Sequence, residues 1–433
     1  MASDRARPLG QLSLIALGLN GVIGVGIFFV PASVARHVPG SAGAFVYLAT
    51  AVACLPIALA FSRLAPRFDE DGGPYVYARA AFGPGAAYVM GWLTYVSAVL
   101  STSAVIRGLA AALTHRWSGH GILFDPTRLV ASATVVGLVL LTAIGLRVSA
   151  LAWTAITAAK LVPLALLLGA WALSPAMVAS PDALTAASSA ATPATAGSVL
   201  RAGLIVVFAL QGFEIVPVPA GHVREPKAMS RATLSALLIA SVVYFGLQLA
   251  CVHALPGLAA SRAPLVDAAR VYGGDALARV LDVGTSVSAL GISLGMVAIT
   301  PRYLATLGRD DGLGTWIGHT SMRGVPLRAL VLTGVAVLAF VQFGSLDELF
   351  AMSSIAVLAQ YGATAASLAF LGARRKRGLG RGEVVLGAFA IVAALAVAAG
   401  ASWREVGRAL AVMVVGVLLR LVVSRWAARP AQS

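Results

Sequence analysis

Apolar residues run in stretches of about twenty along nearly the whole chain, separated by short connections that collect the charges, glycines and prolines. A helix rises about 1.5 Å per residue, so about 20 apolar residues cross the roughly 30 Å hydrocarbon layer of a bilayer. About twelve runs qualify: 12–35, 42–64, 86–113, 129–146, 149–173, 199–221, 233–255, 278–307, 327–343, 346–371, 384–399 and 405–426. The pattern therefore predicts an all-α polytopic membrane protein of about 12 transmembrane helices. Between the second and third runs, Gly72, Gly73, Pro74, Gly83 and Pro84 predict turns flanking a short, Tyr-rich amphipathic helix. The stretch 257–277 is expected to hold short helices outside the membrane.

Composition agrees, since 59% hydrophobic residues, 11% charged residues and a mean hydropathy of +0.88 exclude an ordinary soluble domain. The opening MASDRARPLGQLS lacks an apolar core followed by a small-residue cleavage site, so the first run is expected to remain in the mature protein. A net charge of +15 reads as positive-inside anchoring rather than nucleic-acid binding. With both termini cytoplasmic, most Lys and Arg fall on cytoplasmic connections, the densest group being Arg374, Arg375, Lys376, Arg377 and Arg381. The inner, cytoplasmic membrane is the expected location. Cys54 and Cys251 lie in apolar runs and predict neither a disulfide nor a metal site. Asp69, Glu70 and Asp71 are adjacent and point apart, His115 and His120 sit in a loop without a third ligand, and no cofactor is expected.

Two runs are interrupted at mid-depth. In the first, Gly21, Gly24 and Gly26 each weaken a helix by about 1 kcal/mol relative to Ala, and Pro31 removes a backbone donor. In the sixth, FALQGFEIVPVP from Phe208 to Pro219 predicts a break at Gln211 and Gly212, with a new half-helix starting near Phe213 or Glu214 and Pro217 in its first turn. Bare backbone at membrane depth is tolerated where it lines a cavity or meets a ligand. Interruptions at the first position of each of two five-helix halves point to inverted repeats around a midplane site. The expected organisation is 1–173 (tail and first repeat), 174–198 (an external flexible loop), 199–371 (second repeat) and 372–433 (two further helices and tail). That expectation rests on position.

Half-helix N-termini present free N–H groups and a positive dipole end, and the preceding halves present free carbonyls. A zwitterion would place its carboxylate on the N–H groups of Val25, Gly26 and Ile27, and its ammonium on the carbonyls of Ile23, Phe208 and Gln211, with Gly24, Ala209 and Gly212 beside it. The alternative is that the glycines serve close helix packing. Lys160 lies some thirteen residues, about 20 Å of helix, from Arg147, too deep for its side chain to reach the interface. A mid-span Lys costs about 2.5–3.5 kcal/mol on insertion scales and needs a partner inside the protein. Freed carbonyls near Gly21 or Val22 are the expected partners, in place of a bound sodium ion or with Lys160 as a proton carrier. A structural lysine is the alternative. Glu214 is the other deep ionisable residue, as a helix cap or a proton-binding group. Asp282 is expected to pair with Arg279.

These residues carry a resemblance. GVIGVGIFFVP at 21–31, GGPYVYARAAFGP at 72–84, Lys160 followed by Leu-Val-Pro, GFE at 212–214 with REPK at 224–227, and PRYLATLGRDDGLG at 301–314, taken in order, resemble the amino acid–polyamine–organocation transporter family. The resemblance implies a sodium-symporter-like fold of five plus five inverted repeats with two further helices, and amino acid or amine transport by alternating access. It implies that Gly24, Val25 and Gly26 contact the substrate carboxylate, that Phe208 matches an aromatic gate, and that Lys160 matches a lysine replacing the second sodium site. Val25 stands where many members carry a small hydroxyl residue, and Gly221 and His222 where they carry acidic residues or Asn. Neutral amino acids are the favoured substrates, proton-coupled or exchanged, with cationic amino acid or polyamine exchange as the alternative. A membrane enzyme or a channel is a weaker rival. The expected partners are the small-molecule substrate, protons and membrane lipid, and no oligomeric state follows.

Overall fold

The apolar runs become helices in the computed structural model, which describes residues 10–24, 26–70, 72–114, 125–145, 150–174, 194–218, 220, 223–310, 313–321, 324–342 and 345–427. The helices are α1 (Gln11–Val22), α2 (Gly26–His37), α3 (Ala42–Leu64), α4 (Pro74–Phe82), α5 (Pro84–Thr114), α6 (Pro126–Ala143) and α7 (Ala150–Leu173). After the next connection come α8 (Ala196–Leu210), α9 (Pro226–Ala254), α10 (Pro264–Asp310), α11 (Leu327–Gln342), α12 (Leu346–Ala373), α13 (Arg381–Ala398) and α14 (Trp403–Ala427). No strand occurs among the described residues. Eight helices there are long and apolar enough to cross a membrane, nine if the bent pair α1–α2 counts as one span. The chain is an integral, multi-pass membrane protein.

Burial sorts the helices into centre and rim. Of the most apolar part of α5, 78% is buried against protein, against 22% for α6 and α13. On the rim helices Leu129, Val136 and Leu140 of α6, and Val385, Phe389, Val392 and Leu395 of α13, are exposed at helical spacing, which lipid covers at no cost. Inside, hydroxyl side chains such as Ser103, Thr233, Ser241 and Thr285 return their protons to the carbonyl four residues back, which satisfies them without a partner helix.

The predicted short helix is α4, entered at Pro74 and closed by Gly83 at φ 90°. The stretch 257–277 holds a 3-10 turn (Leu258–Ala260) and the outer arm of α10, which bends at Gly273 and Gly274. Tyr272 Oη fixes that arm by donating to the Ala250 carbonyl (2.9 Å). Arg279 donates to the Asp275 carbonyl (3.3 Å). Asp282 lines a small cavity with Phe28, Phe29 and Thr285.

The two ends of the bundle are closed differently. At one end Arg36 of α2 forms a bidentate pair with Asp347 of α12 (2.8 and 2.9 Å), Ser33 donates to the same carboxylate (2.6 Å), and Arg36 reaches the Ala259 carbonyl (3.1 Å). At the other end Leu14, Ala65, Val216, Met229 and Ala232 pack together. Ser62 and Ser230 there exchange hydroxyl-to-carbonyl hydrogen bonds (3.1 and 2.6 Å). The loop expected at 174–198 and the histidines His115 and His120 lie outside the described residues, apart from the ends of that loop.

Candidate functional site

The first run breaks where its glycines predict. α1 ends at Val22, α2 begins at Gly26, and their axes differ by 47°. Ile23, at φ −73° and ψ 72°, forms an inverse γ-turn in which Gly24 N–H donates to the Val22 carbonyl (2.6 Å). Val25 lies outside the described residues. Gly26 and Ile27 open α2, so their N–H groups have no carbonyl within the helix. Pro31 withholds the donor that would have reached the Ile27 carbonyl, and its own carbonyl accepts from Gln248 Nε2 (3.3 Å).

The carbonyls released at the end of α1 are held from other helices. Lys160 Nζ donates to the Asn20 carbonyl (2.8 Å), one residue before the expected Gly21 or Val22, and Lys160 is fully buried. The Val22 carbonyl accepts from Tyr244 Oη of α9 (2.7 Å). Lys160 thus meets backbone oxygen at the break, which answers the insertion cost of a mid-span ammonium.

The sixth run breaks at the expected place and then departs from expectation. α8 ends at Leu210, Gln211 is extended, and Gly212 takes φ 124°. Beyond Gly212 the chain forms a 3-10 turn, Phe213–Ile215, and further turns through Val218, rather than a new α-helical half. Pro217 and Pro219 remove two donors within three residues, so the hydrogen bonds close over three residues: Ile215 to Gly212 (3.2 Å), Val216 to Phe213 (3.3 Å) and Val218 to Ile215 (3.1 Å). The dipole end expected after Gly212 is therefore that of a short turn. Glu214 caps it, accepting from Gly212 N–H and from Tyr361 Oη, each at 2.7 Å. Gly221 and His222 lie outside the described residues.

The two breaks touch through their backbones. A methyl group on Gly212 would overlap the Gly21 carbonyl and the Val22 amide, and one on Gly21 would meet the Gly212 carbonyl at 2.8 Å. A methyl group on Gly26 would meet Ala209 Cα at 3.0 Å and the Phe208 ring at 3.2 Å. Gly21 and Gly26 thus serve close packing as well as the break. Gly24 differs: a methyl there meets only carbonyls of its own chain, Gly21 and Val22, at 3.7 and 3.8 Å. Phe208 stacks on Phe350 of α12 (ring centres 4.4 Å apart, planes inclined 32°).

Gln211 has partners that sequence reasoning missed. Its Nε2 donates to Ser101 Oγ of α5 (3.1 Å) and lies 3.5 Å from Ser353 Oγ of α12, and the two hydroxyls are 2.7 Å apart. Among the described residues, Gln211 Oε1 and Ser354 Oγ are buried without a hydrogen-bond partner. Tyr244, Tyr361 and Asn20 were likewise missed. Small hydroxyls and tyrosines in apolar runs look like packing residues, and only the paired Ser353–Ser354 hinted at polarity. Among the described residues no group of three or more His, Cys, Asp or Glu could hold a metal ion.

Comparison with known proteins gives the family. The amino acid permease family model matches residues 9–428. An uncharacterized transporter of Mycobacterium tuberculosis is 31% identical over 373 residues, 84% of this chain and 80% of its own length. Two Arabidopsis thaliana proteins are similar at lower identity: the mitochondrial cationic amino acid transporter 3 (25% over 385 residues, 84% of this chain and 62% of its own) and the vacuolar cationic amino acid transporter 4 (24% over 380 residues, 83% and 62%). With two helix breaks in close contact and a family match over nearly its whole length, the chain belongs to the amino acid permease family and is a transporter rather than an enzyme.

Proposed function

We propose that the chain is a secondary transporter carrying neutral amino acids across the cytoplasmic membrane by alternating access, with the substrate held where the two breaks meet. The observation that carries this reading is the close approach of Gly21 to the Gly212 backbone, together with Gly26, in the first turn of α2, packed against Ala209 and Phe208 at the end of α8. The substrate carboxylate binds the N–H groups of Gly26 and Ile27, with Val25 beside them. The ammonium binds carbonyls among Ile23, Phe208 and Gln211, and Gly24, Ala209 and Gly212 keep the gap narrow. Twelve spans, two inverted five-helix repeats ending at 173 and 371, and cytoplasmic termini complete the proposed architecture.

Lys160 acts as a tethered cation on the Asn20 carbonyl, replacing a coupling ion, and Glu214 is the proton-binding candidate because its carboxylate links the second break to Tyr361. A neutral substrate is supported by that same engagement: the carboxylate nearest the breaks already accepts two hydrogen bonds. A second reading, a cationic amino acid, is favoured by the names of the plant relatives. A panel of unlabelled amino acids and amines competing for uptake into proteoliposomes, with and without a pH gradient, separates them. Competition by neutral amino acids supports the first reading and competition by arginine or lysine alone the second. Uptake that neither saturates nor accelerates with substrate preloaded inside the vesicles would reject a carrier. Lys160→Ala with unchanged uptake would reject the coupling role.

A further inference from the structure

The connection between α12 and α13 spends backbone conformation to display positive charge. α12 closes with two hydrogen bonds, Lys376 N–H to the Leu371 carbonyl (3.0 Å) and Arg375 N–H to the Gly372 carbonyl (3.1 Å). That arrangement requires a left-handed residue at the position occupied by Arg375, which is usually glycine. Arg375 sits there at φ 49°, and Arg377 repeats the conformation at φ 55°. Both are exposed, as are Arg374, Lys376 and Arg381. A loop needed only for membrane orientation would carry its charges around a glycine, and Gly378, at φ 70°, follows directly.

The arginines are also aimed. Arg377 lies over the Phe68 ring (4.1 Å to its centre) and exchanges hydrogen bonds with Arg67, its guanidinium donating to the Arg67 carbonyl (2.7 Å) and Arg67 to its own carbonyl (3.1 Å). Arg374 lies over the Phe370 ring at 5.4 Å, and Phe370 packs on the half-exposed Phe82. The loop joins two membrane-length helices, α12 and α13, so it stands at headgroup depth. The nearby acid, Glu383, accepts from Gly380 N–H (2.9 Å) and sits 3.9 Å from Arg63, so it is committed to the start of α13.

We propose that this loop binds the phosphate-bearing headgroup of an anionic lipid in the adjoining leaflet, held by Arg375 and Arg377. The charge is cationic and clustered, the ends of α12 and α13 set it at headgroup level, and guanidinium groups match phosphate oxygens in pairs.

The test uses the full-length protein, delipidated in detergent and titrated with phosphatidylglycerol or phosphatidylcholine under native mass spectrometry. Glycine adopts the left-handed conformation freely, so the double variant Arg375→Gly/Arg377→Gly is expected to keep or raise the thermal midpoint. It is expected to bind phosphatidylglycerol about 30-fold more weakly, since each basic group near an anionic surface contributes about a factor of five. Phosphatidylcholine binding is expected to stay the same, and an excess of inorganic phosphate to leave phosphatidylglycerol bound. A second pair, Arg374→Gln/Arg381→Gln, leaves both left-handed positions untouched and is expected to weaken phosphatidylglycerol in the same direction. Unchanged phosphatidylglycerol affinity in the Arg375→Gly/Arg377→Gly variant overturns the proposal, as does displacement by inorganic phosphate, which would make the site one for soluble anions.

Discussion

The two helix breaks meet but are built in opposite ways. The first is a γ-turn between two helices of twelve residues each, and it offers mainly backbone: the unpaired N–H groups that open α2. The second is a helix end that never resumes as a helix, and it offers side chains, Gln211 towards Ser101 and Glu214 towards Tyr361. The difference comes with a second proline. Pro31 and Pro217 each stand five residues after the glycine of their break, Gly26 and Gly212, but the second break adds Pro219 two residues on, and the chain there keeps bonds over three residues only. On the proposed function, the first break would recognise the charged groups common to all amino acids, and the second would sense what varies between them.

The steepest test of this contrast is Gly212→Ala. Its left-handed φ and the overlap of a methyl group with the Gly21 backbone are expected to cost about 4 kcal/mol or more, read as lost folded protein and a lower thermal midpoint in detergent. A mild effect would mean that the breaks are not in backbone contact. Gly21→Ala ranks next, at about 1–3 kcal/mol from overpacking. Part of that is expected to return on adding Ile215→Val, because the methyl group strikes Ile215 Cδ1 at 2.5 Å, and a double-mutant cycle in thermal unfolding measures the recovery. Gln211→Leu removes a hydrogen bond of about 0.5–1.5 kcal/mol, so KM for transport is expected to rise about 2- to 10-fold. If uptake kinetics then change equally for every amino acid, the second break does not read the side chain. Gly24→Ala is expected to leave stability within about 0.5 kcal/mol, because space surrounds it. Initial-rate uptake is where it acts: the methyl group enters the gap and raises KM, and an unchanged KM would place the substrate elsewhere.

Both breaks were legible in the sequence because glycine and proline act locally: the density of Gly21, Gly24 and Gly26 marks one and Gly212 with Pro217 the other. The membrane class was equally plain, since apolar length alone sets it. The turns beyond Gly212 were not legible. A proline in the first turn of a helix and a proline that prevents a helix look alike in sequence, and the hydrogen-bond register decides between them. Lys160 announced that it needed a partner but not which one, because depth along one helix does not fix rotation against another, and Asn20 lies one residue before the expected partners. Ser101 and Ser353 were hidden for a related reason: a hydroxyl that returns its proton to its own helix and one that faces a neighbour have the same local sequence. For Arg279 and Asp282, spacing three apart permits a pair without requiring it, and the bond that Arg279 Nε makes is to the Asp275 carbonyl.

At the rim, Arg201 of α8 meets Glu405 at the start of α14 through two hydrogen bonds of 2.5 and 2.7 Å, and the carboxylate, 4% exposed, is also held by Ser402 N–H and Oγ at 2.9 Å each. The final helix is thereby wired to the helix that ends at the second break. Ending the chain after α12 would strand a guanidinium that now has a matched counter-charge, at a cost of about 3–5 kcal/mol. A minimal carrier is thus not reached by trimming alone; Arg201 would have to be exchanged for an apolar residue in the same step.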